Sequence, residues 1–373
     1  MARYDNVIVG GGLAGGMIAQ EYREAGGTES VLLIGREPHP PYHRPPLTKE
    51  SLRGEKPYEQ SYMRSEAAWG EMDVDLRLET EVSAIHPEAA ELELAGGERI
   101  GYGRLALATG AVPRTLPGTV AIRVIEDSAR VAELLARGHG HLGIIGGGFI
   151  GVEAAASARM KGLDVTMVAP EPVVWGQLFG DEVARHFQGY LERHGVRVIN
   201  GVRELPEGDY DLILAAIGVD PSIELAAGAG IPTNTGILTD EHLVAAPNVW
   251  AAGDVAEYQS VVHGRRIRVE HWDVALNHGS YIGRSWAGAE DAPYAVVPYF
   301  FSDIADWTWM EYVGPAGRDD RVEVRGSMDD DDFVAYYSNA DGKLTGCLGV
   351  NRSDEVNAAK ELIAQGGSAP PAG

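Results

Sequence analysis

Two stretches of this chain carry glycines at a spacing that serves one kind of chemistry. They are Gly10, Gly12 and Gly15 in GGGLAG, and Gly146, Gly148 and Gly151 in GGGFIG. In such a loop the first glycine makes a tight turn, and the second lets the backbone approach a pyrophosphate. The third lets a helix pack close to a strand. The helix that follows points free N–H groups and a partial positive charge at the phosphates. One loop alone is also what a bare strand–helix turn looks like; two together argue for two bound dinucleotides. A further carboxylate sits in the run NVWAAGD. There Asp254 is placed to accept hydrogen bonds from ligand hydroxyls, to cap a helix starting at Val255, or to do both.

These residues need particular elements around them. Asp5–Val9 reads as an apolar strand, 16–23 as a helix and Ser30–Ile34 as a second strand, which brackets the first loop. The order repeats with a strand at His141–Ile145, a helix at 152–161 and a strand at 164–168. Strand, glycine turn, helix, strand is the sequence a dinucleotide fold requires. Leu105–Gly110 reads as one more apolar strand ending in a turn, with Arg114 beyond it.

Bulk properties bound the answer. The chain has 373 residues, 45% of them hydrophobic, enough for two or three domains with their own cores. The formal charge is -24, from 55 acidic and 31 basic residues, only five of which are lysines. That disfavours nucleic-acid binding, which needs a basic footprint. An acidic surface serves solubility, or meets a basic or neutral partner; the first is the simpler reading. No apolar run is long enough to cross a bilayer, and the start lacks the pattern of a signal peptide. Cys347 is the one cysteine, so neither a disulfide framework nor an internal redox dithiol is available. A cytoplasmic, membrane-free protein, monomeric or homodimeric, is expected. His39 and His43 lie in a Pro-rich turn with no supporting cysteine or acidic cluster, so no metal site is expected. Asp329–Asp332 reads as a solvated hairpin turn, with weak cation binding as the other option.

The segments VIVGGGLAG, PYHRPPLTKE, ALATGAVPR, GIIGGGFIGVEAA, AAIGVDPSIELA, NVWAAGDVAEY and VEHWDVALNHG carry a resemblance. They resemble the FAD-dependent pyridine-nucleotide reductases of the ferredoxin-reductase type. That group includes putidaredoxin and rubredoxin reductases, oxygenase-coupled ferredoxin reductases, apoptosis-inducing factor and monodehydroascorbate reductase. VPYFFSDIADWTW continues it more loosely. The implied fold is α/β, with two Rossmann-like dinucleotide-binding domains of glutathione-reductase type and a C-terminal α+β domain. The implied boundaries are 1–115 plus 240–290 for FAD, 116–239 for NAD, 291–365 for a C-terminal interface domain and a disordered tail at 366–373.

The resemblance also implies roles. Gly10, Gly12, Leu13, Ala14 and Gly15 would hold FAD, helped by Val82, Ala108, Thr109, Gly110, Arg114 and Asp254. Arg44 would contact the adenosine or pyrophosphate. Family members often have an acid where Arg36 stands; either Glu37 takes the adenosine ribose or Arg36 packs over the adenine. Lys49 would sit near flavin N5 and pair with Glu153. A cation there favours the reduced ring, on which negative charge builds; Glu153 also reads as a first-turn carboxylate favoured by the helix dipole. Backbone N–H groups around Glu270, His271, Trp272 and Asp273 would reach the flavin pyrimidine carbonyls. Trp307 or Trp309 would shield the ring or conduct electrons, or simply pack; Trp309 is carried as the cofactor contact.

For the second dinucleotide, Gly146, Gly148, Phe149, Ile150, Gly151, Ala216, Ile217 and Gly218 would form the site. Phe149 would gate or stack on the nicotinamide, or pack under the loop. Ala169 departs from the common acid at the strand end, but Glu171 follows in APEP, as in monodehydroascorbate reductase. A carboxylate there binds the ribose 2'-hydroxyl and repels a 2'-phosphate. No arginine is close in sequence, Arg185 being too far along the next helix, so NADH is expected over NADPH. Hydride transfer needs the nicotinamide flat against the flavin and no protein acid, base or nucleophile. The expected function is an NADH oxidoreductase that reduces FAD and then a small iron–sulfur carrier such as a ferredoxin. Alternatives are a small radical or quinone acceptor, or a signalling flavoprotein like apoptosis-inducing factor.

Overall fold

Strand Ala2–Val9 is exposed at its start and fully buried from Asn6 to Val9. The buried half lies between two parallel neighbours, Val31–Ile34 and Arg99–Leu107. Val7, Val9, Leu32, Ile34, Leu105 and Leu107 point into one apolar cluster. Ile8, Val31, Leu33 and Ala106 point into another. Side chains alternate along a strand, so a run that is apolar at every position must be covered on both faces, as parallel sheets are.

The structure is a computed structural model that describes residues 1–371. It divides into two units, the first made of Met1–His43, Ser61–Val112 and Asp220–Val296. The second holds Arg44–Gln60, Pro113–Val219 and the chain from Val297 onward. In the first unit the strand order is Val244–Ala246, Val249–Ala251, Arg99–Leu107, Ala2–Val9, Val31–Ile34, Val74–Arg77. Helix Leu13–Glu24 packs tightly on helix Trp272–Trp286. A Cβ on Gly279 would stand 2.5 Å from the Ala14 carbonyl oxygen, and one on Gly283 would stand 2.6 Å from that of Ile18. Only glycine permits so close a crossing.

The second unit has a parallel sheet ordered Val196–Asn200, Asp164–Ala169, His141–Ile145, Leu212–Ala215. It also contains a five-stranded antiparallel sheet, Tyr299–Ile304, Thr308–Val313, Leu344–Val350, Asp332–Ser338, Arg321–Ser327, with helix Ser353–Ala364 against it. No described helix is long and apolar enough to cross a membrane.

Several local expectations change. The segment 44–60, expected with the FAD half, packs in the second unit. The cause is side-chain bonding to the 3-10 turn Pro45–Thr48: Ser128 Oγ donates to the Leu47 carbonyl and Ser157 Oγ to the Thr48 carbonyl, both at 2.7 Å. The second loop's helix begins at Phe149, earlier than residue 152, so Glu153 lies beyond its first turn. Asp254 sits inside a 3-10 turn, Gly253–Val255, followed by strand Ala256–Ser260; it caps no α-helix. The tail is tied down through Pro371. The Gly367 carbonyl accepts from Leu344 N, and the carbonyls of Pro370 and Pro371 accept from Arg325. Ala372 and Gly373, also assigned to that tail, lie outside the described residues. In the acidic run, Asp331 takes φ +53 in the turn while Asp332 is already in a strand and pairs with Arg352.

Candidate active site

The first glycine loop is closed by its own backbone. Gly10 N donates to the Ile34 carbonyl at 2.8 Å, and Gly10 holds φ +125, a region L side chains avoid. A Cβ there would stand 2.0 Å from the Ala108 carbonyl oxygen, and one on Gly15 would stand 2.0 Å from that of Gly10. Gly12 occupies the N-cap of helix Leu13–Glu24 without any side-chain cap. The first-turn N–H groups, including those of Leu13, Ala14 and Gly15, have no partner within the helix. Close approach and free donors are what a pyrophosphate needs.

Around this loop the other named residues take definite positions. Arg36 is exposed and makes no hydrogen bond or ion pair among the described residues. Glu37 is half-buried and accepts from Tyr42 Oη at 2.5 Å. Val82 is buried in the apolar core, so only its backbone could face a ligand. Thr109 Oγ1 donates to the Ser222 carbonyl at 2.8 Å, and Gly110 turns the chain at φ +66. Asp254 is buried. His271 is the N-cap of helix Trp272–Trp286, again without a side-chain cap, so the N–H groups at Trp272 and Asp273 lie at the positive end of the helix dipole. Trp272 Nε1 donates to His43 Nδ1 at 3.0 Å, and burial pushes the His43 pKa down, which keeps the ring a neutral acceptor.

The second unit repeats the construction. Gly146 N donates to the Val168 carbonyl, Gly146 holds φ +105, and a Cβ would stand 2.2 Å from the Ala216 carbonyl oxygen. A Cβ on Gly151 would stand 2.5 Å from the Gly146 carbonyl oxygen. Gly148 is an uncapped helix N-cap, with Phe149 and Ile150 in the first turn. Gly218, at φ +95, accepts from Arg114 N at 2.9 Å. Phe149 is half-buried with its ring 4.9 Å from those of both Trp175 and Phe300. Ile150 is exposed, and Glu171 is half-buried with an uncommitted carboxylate.

Lys49 and Glu153 come together in the second unit. Lys49 Nζ lies 3.5 Å from Glu153 Oε1 and 2.9 Å from Asp303 Oδ2. Glu153 accepts from Thr48 Oγ1 at 2.5 Å and from Ser302 Oγ at 2.7 Å. Burial pushes the Glu153 carboxyl up, opposed by the Lys49 cation and the two hydroxyls. Burial works against the charge on Lys49, but Glu153 and Asp303 outweigh it and hold its pKa above the ordinary value. The cation also sits 4.9 Å from the centre of the Phe301 ring, itself 37% exposed. Phe301, Ser302 and Asp303 stand together in the FFSD run, and no local pattern there marks them as partners of Lys49 and Glu153. Arg44, also in this unit, donates from Nη1 to the Arg123 carbonyl.

The two tryptophans have separate roles in packing. Trp307 stacks on His194, ring centres 3.8 Å apart at 5°. Trp309 pairs with Asp303 across the hairpin, and its Nε1 donates to Asn351 Oδ1 at 3.2 Å. A depression of about 290 Å³ is lined by both, with Asp303, Asp306 and Asp331. Cys347 is fully buried, and burial raises its thiol pKa. His39 Nδ1 lies 2.9 Å from Tyr62 Oη.

Two parallel-sheet units, each with a glycine cradle before a free helix end, define a dinucleotide-binding oxidoreductase. The chain belongs to the pyridine nucleotide-disulphide oxidoreductase family, whose pattern matches residues 4–279, and a reductase C-terminal domain matches 299–373. It is 32% identical to the ferredoxin–NAD(+) reductase component of the anthranilate 1,2-dioxygenase system of Burkholderia cepacia, over 98% of this chain and 95% of that one. The crystal structure of a covalent putidaredoxin reductase–putidaredoxin complex superposes with TM-score 0.91 at 30% identity, covering 98% of this chain and 94% of that one. The ferredoxin reductase for the CYP199A2 system from Rhodopseudomonas palustris gives TM-score 0.91 at 32% identity, covering 98% and 95%. FAD and NADH are the cofactors this membership implies, and both glycine cradles fit a pyrophosphate.

Proposed function

We propose that this chain takes electrons from NADH and delivers them, through bound FAD, to a small iron–sulfur protein. The observation that carries the reading is the Lys49–Glu153–Asp303 cluster in a chain with two dinucleotide cradles. FAD held there would supply the exchange between a two-electron hydride donor and a one-electron acceptor. The residues do the rest. Gly10, Gly12 and Gly15 bring backbone donors to the FAD pyrophosphate; Gly146, Gly148 and Gly151 do so for NADH. Lys49 offers a fixed positive charge toward the flavin, and Glu153 and Asp303 hold its ammonium in place. The helix end at His271 and Trp272 offers N–H groups to the pyrimidine side, where negative charge accumulates. Phe149 closes over the nicotinamide. Glu171 accepts the ribose hydroxyl and selects NADH.

In this reading residues 1–115 and 240–290 form the FAD part, 116–239 the NADH part, and 291–365 the interface that meets the acceptor. The relatives named above support a ferredoxin-type acceptor. Cytoplasmic location, and a monomer or homodimer, belong to the same proposal. The test is a panel of acceptors at fixed NADH. Fast cytochrome c reduction that requires added ferredoxin is expected. Equal rates with a quinone or organic radical, and none through ferredoxin, would replace the reading with a small-molecule reductase. Slow reduction with no efficient acceptor would favour a signalling flavoprotein.

A further inference from the structure

Glu171 stands at the end of a strand with no arginine near it in sequence; folding brings one alongside. Strand Val196–Asn200 runs parallel to Asp164–Ala169, with Asn200 opposite Ala169. The chain leaving it stays close. Val202 N donates to the Ala169 carbonyl and Gly201 N to the Glu171 carbonyl, both at 3.2 Å. Gly201 takes φ +76, which turns Val202 and Arg203 along the carboxyl edge of the sheet. Arg203 thus follows two residues after Gly201, the residue bonded to the Glu171 carbonyl. Arg203 is exposed and makes no hydrogen bond or ion pair among the described residues; the Glu171 carboxylate is equally uncommitted. Val202, 39% exposed, adds an apolar side chain at the same edge.

We propose that Arg203 is a ready 2'-phosphate clamp whose use Glu171 suppresses. Coenzyme choice is then set by the pair, not by Glu171 alone. This rests on reading residues 146–171 as the nicotinamide dinucleotide unit. A carboxylate at this edge accepts the ribose hydroxyl and repels a phosphate. A guanidinium is the opposite device, a planar fork of donors that matches phosphate oxygens. Removing the carboxylate from a site without a cation only ends the repulsion. Here the phosphate would also gain a partner.

The experiment is calorimetry of the FAD-loaded protein with two redox-inert probes, ADP-ribose and 2'-phospho-ADP-ribose. The proteins are the wild type, Glu171→Gln, Arg203→Met and the double variant. Glu171→Gln keeps the side chain's size, and Glu171→Ala serves as a second variant if it misfolds. We expect Glu171→Gln to tighten 2'-phospho-ADP-ribose by about tenfold or more, the worth of one charge-assisted contact. Adding Arg203→Met should erase most of that gain, and the NADPH-to-NADH ratio of kcat/KM should follow the same order. An equal gain with and without Arg203, or no gain at all, overturns the proposal. Failure of the wild type to bind ADP-ribose overturns instead the assignment of this unit to a nicotinamide dinucleotide.

Discussion

Replacing Lys49 with methionine removes the only cation among the described residues within salt-bridge distance of Glu153, while keeping an unbranched stem. Glu153 and Lys49 are both buried. Breaking a buried pair by deleting one partner costs about 3–5 kcal/mol. The lower end applies here, because the Asp303 carboxylate is 41% exposed and water can take over its share. Glu153 also keeps the hydroxyl bonds from Thr48 and Ser302. The expected loss is therefore about 3 kcal/mol at pH 8.

The pH dependence separates this cause from simple packing damage. Burial already raises the Glu153 pKa, and Lys49 opposes that rise. Without the lysine only the Thr48 and Ser302 hydroxyls still oppose it, and the pKa rises further. A carboxyl with a raised folded-state pKa binds protons more tightly folded than unfolded. Its ionisation costs stability as pH climbs from the unfolded carboxylate range through the folded value. So Lys49→Met should regain stability on acidification, at up to about 1.4 kcal/mol per pH unit while Glu153 titrates. Urea unfolding of the FAD-loaded protein between pH 5.5 and 8 reads this directly. In the same variant, loss of the cation should lower the flavin reduction potential and slow reduction by NADH. A variant whose stability follows pH as the wild type's does, with an unchanged potential, would refute the electrostatic role given to Lys49.

Other outcomes follow from separate features. Gly10→Ala drives a Cβ toward the Ala108 carbonyl at 2.0 Å and should leave the protein without FAD. Gly146→Ala should keep the flavin spectrum and lose NADH binding, which fluorescence titration can follow; FAD loss in both would break the assignment of the loops. Phe149→Ala removes a ring lying 4.9 Å from two aromatic neighbours, so stopped-flow reduction should slow by about 2- to 10-fold, the worth of an aromatic contact; an unchanged rate removes the nicotinamide role. His278 is fully buried between Tyr258 and Tyr294, and burial pushes its pKa down to about 3. The unfolded chain then binds a proton below about pH 6.5 that the fold refuses, so stability falls as pH drops, by roughly 2 kcal/mol at pH 5. His278→Leu should flatten that acid slope, and an unchanged slope would place the lability elsewhere.

What the sequence disclosed and what it hid divide along a physical line. Loops were legible because the constraint is local. Gly10 and Gly146 need a positive φ and a carbonyl close by, and only glycine meets both demands. The alternation from strand to helix was legible for the same reason, with boundaries moving by only a few residues. Partners supplied by distant segments were not. Asp303 reaches Lys49 from 254 residues further along the chain, and nothing in FFSD announces it. Arg203 was passed over because proximity was judged along the sequence, while parallel pairing of Val196–Asn200 with Asp164–Ala169 sets the distance that matters. Arg44 and Lys49 were expected with the FAD half from the resemblance, yet the hydroxyls of Ser128 and Ser157 fasten the turn between them into the second unit.

The cysteine count bears on where electrons go. The family name refers to disulphide chemistry, which needs two thiols that can meet. This chain has one, and it lies on an inner strand of the C-terminal sheet, fully buried, with its pKa raised by burial. A thiol held protonated is a poor nucleophile and cannot start thiol–disulfide exchange. Electrons that enter as a pair must then leave by contact with an external acceptor. The same unit that carries Lys49 and Asp303 carries the depression lined by Trp307, Trp309, Asp306 and Asp331. A basic acceptor approaching that face would meet carboxylates, and added salt should then slow its reduction.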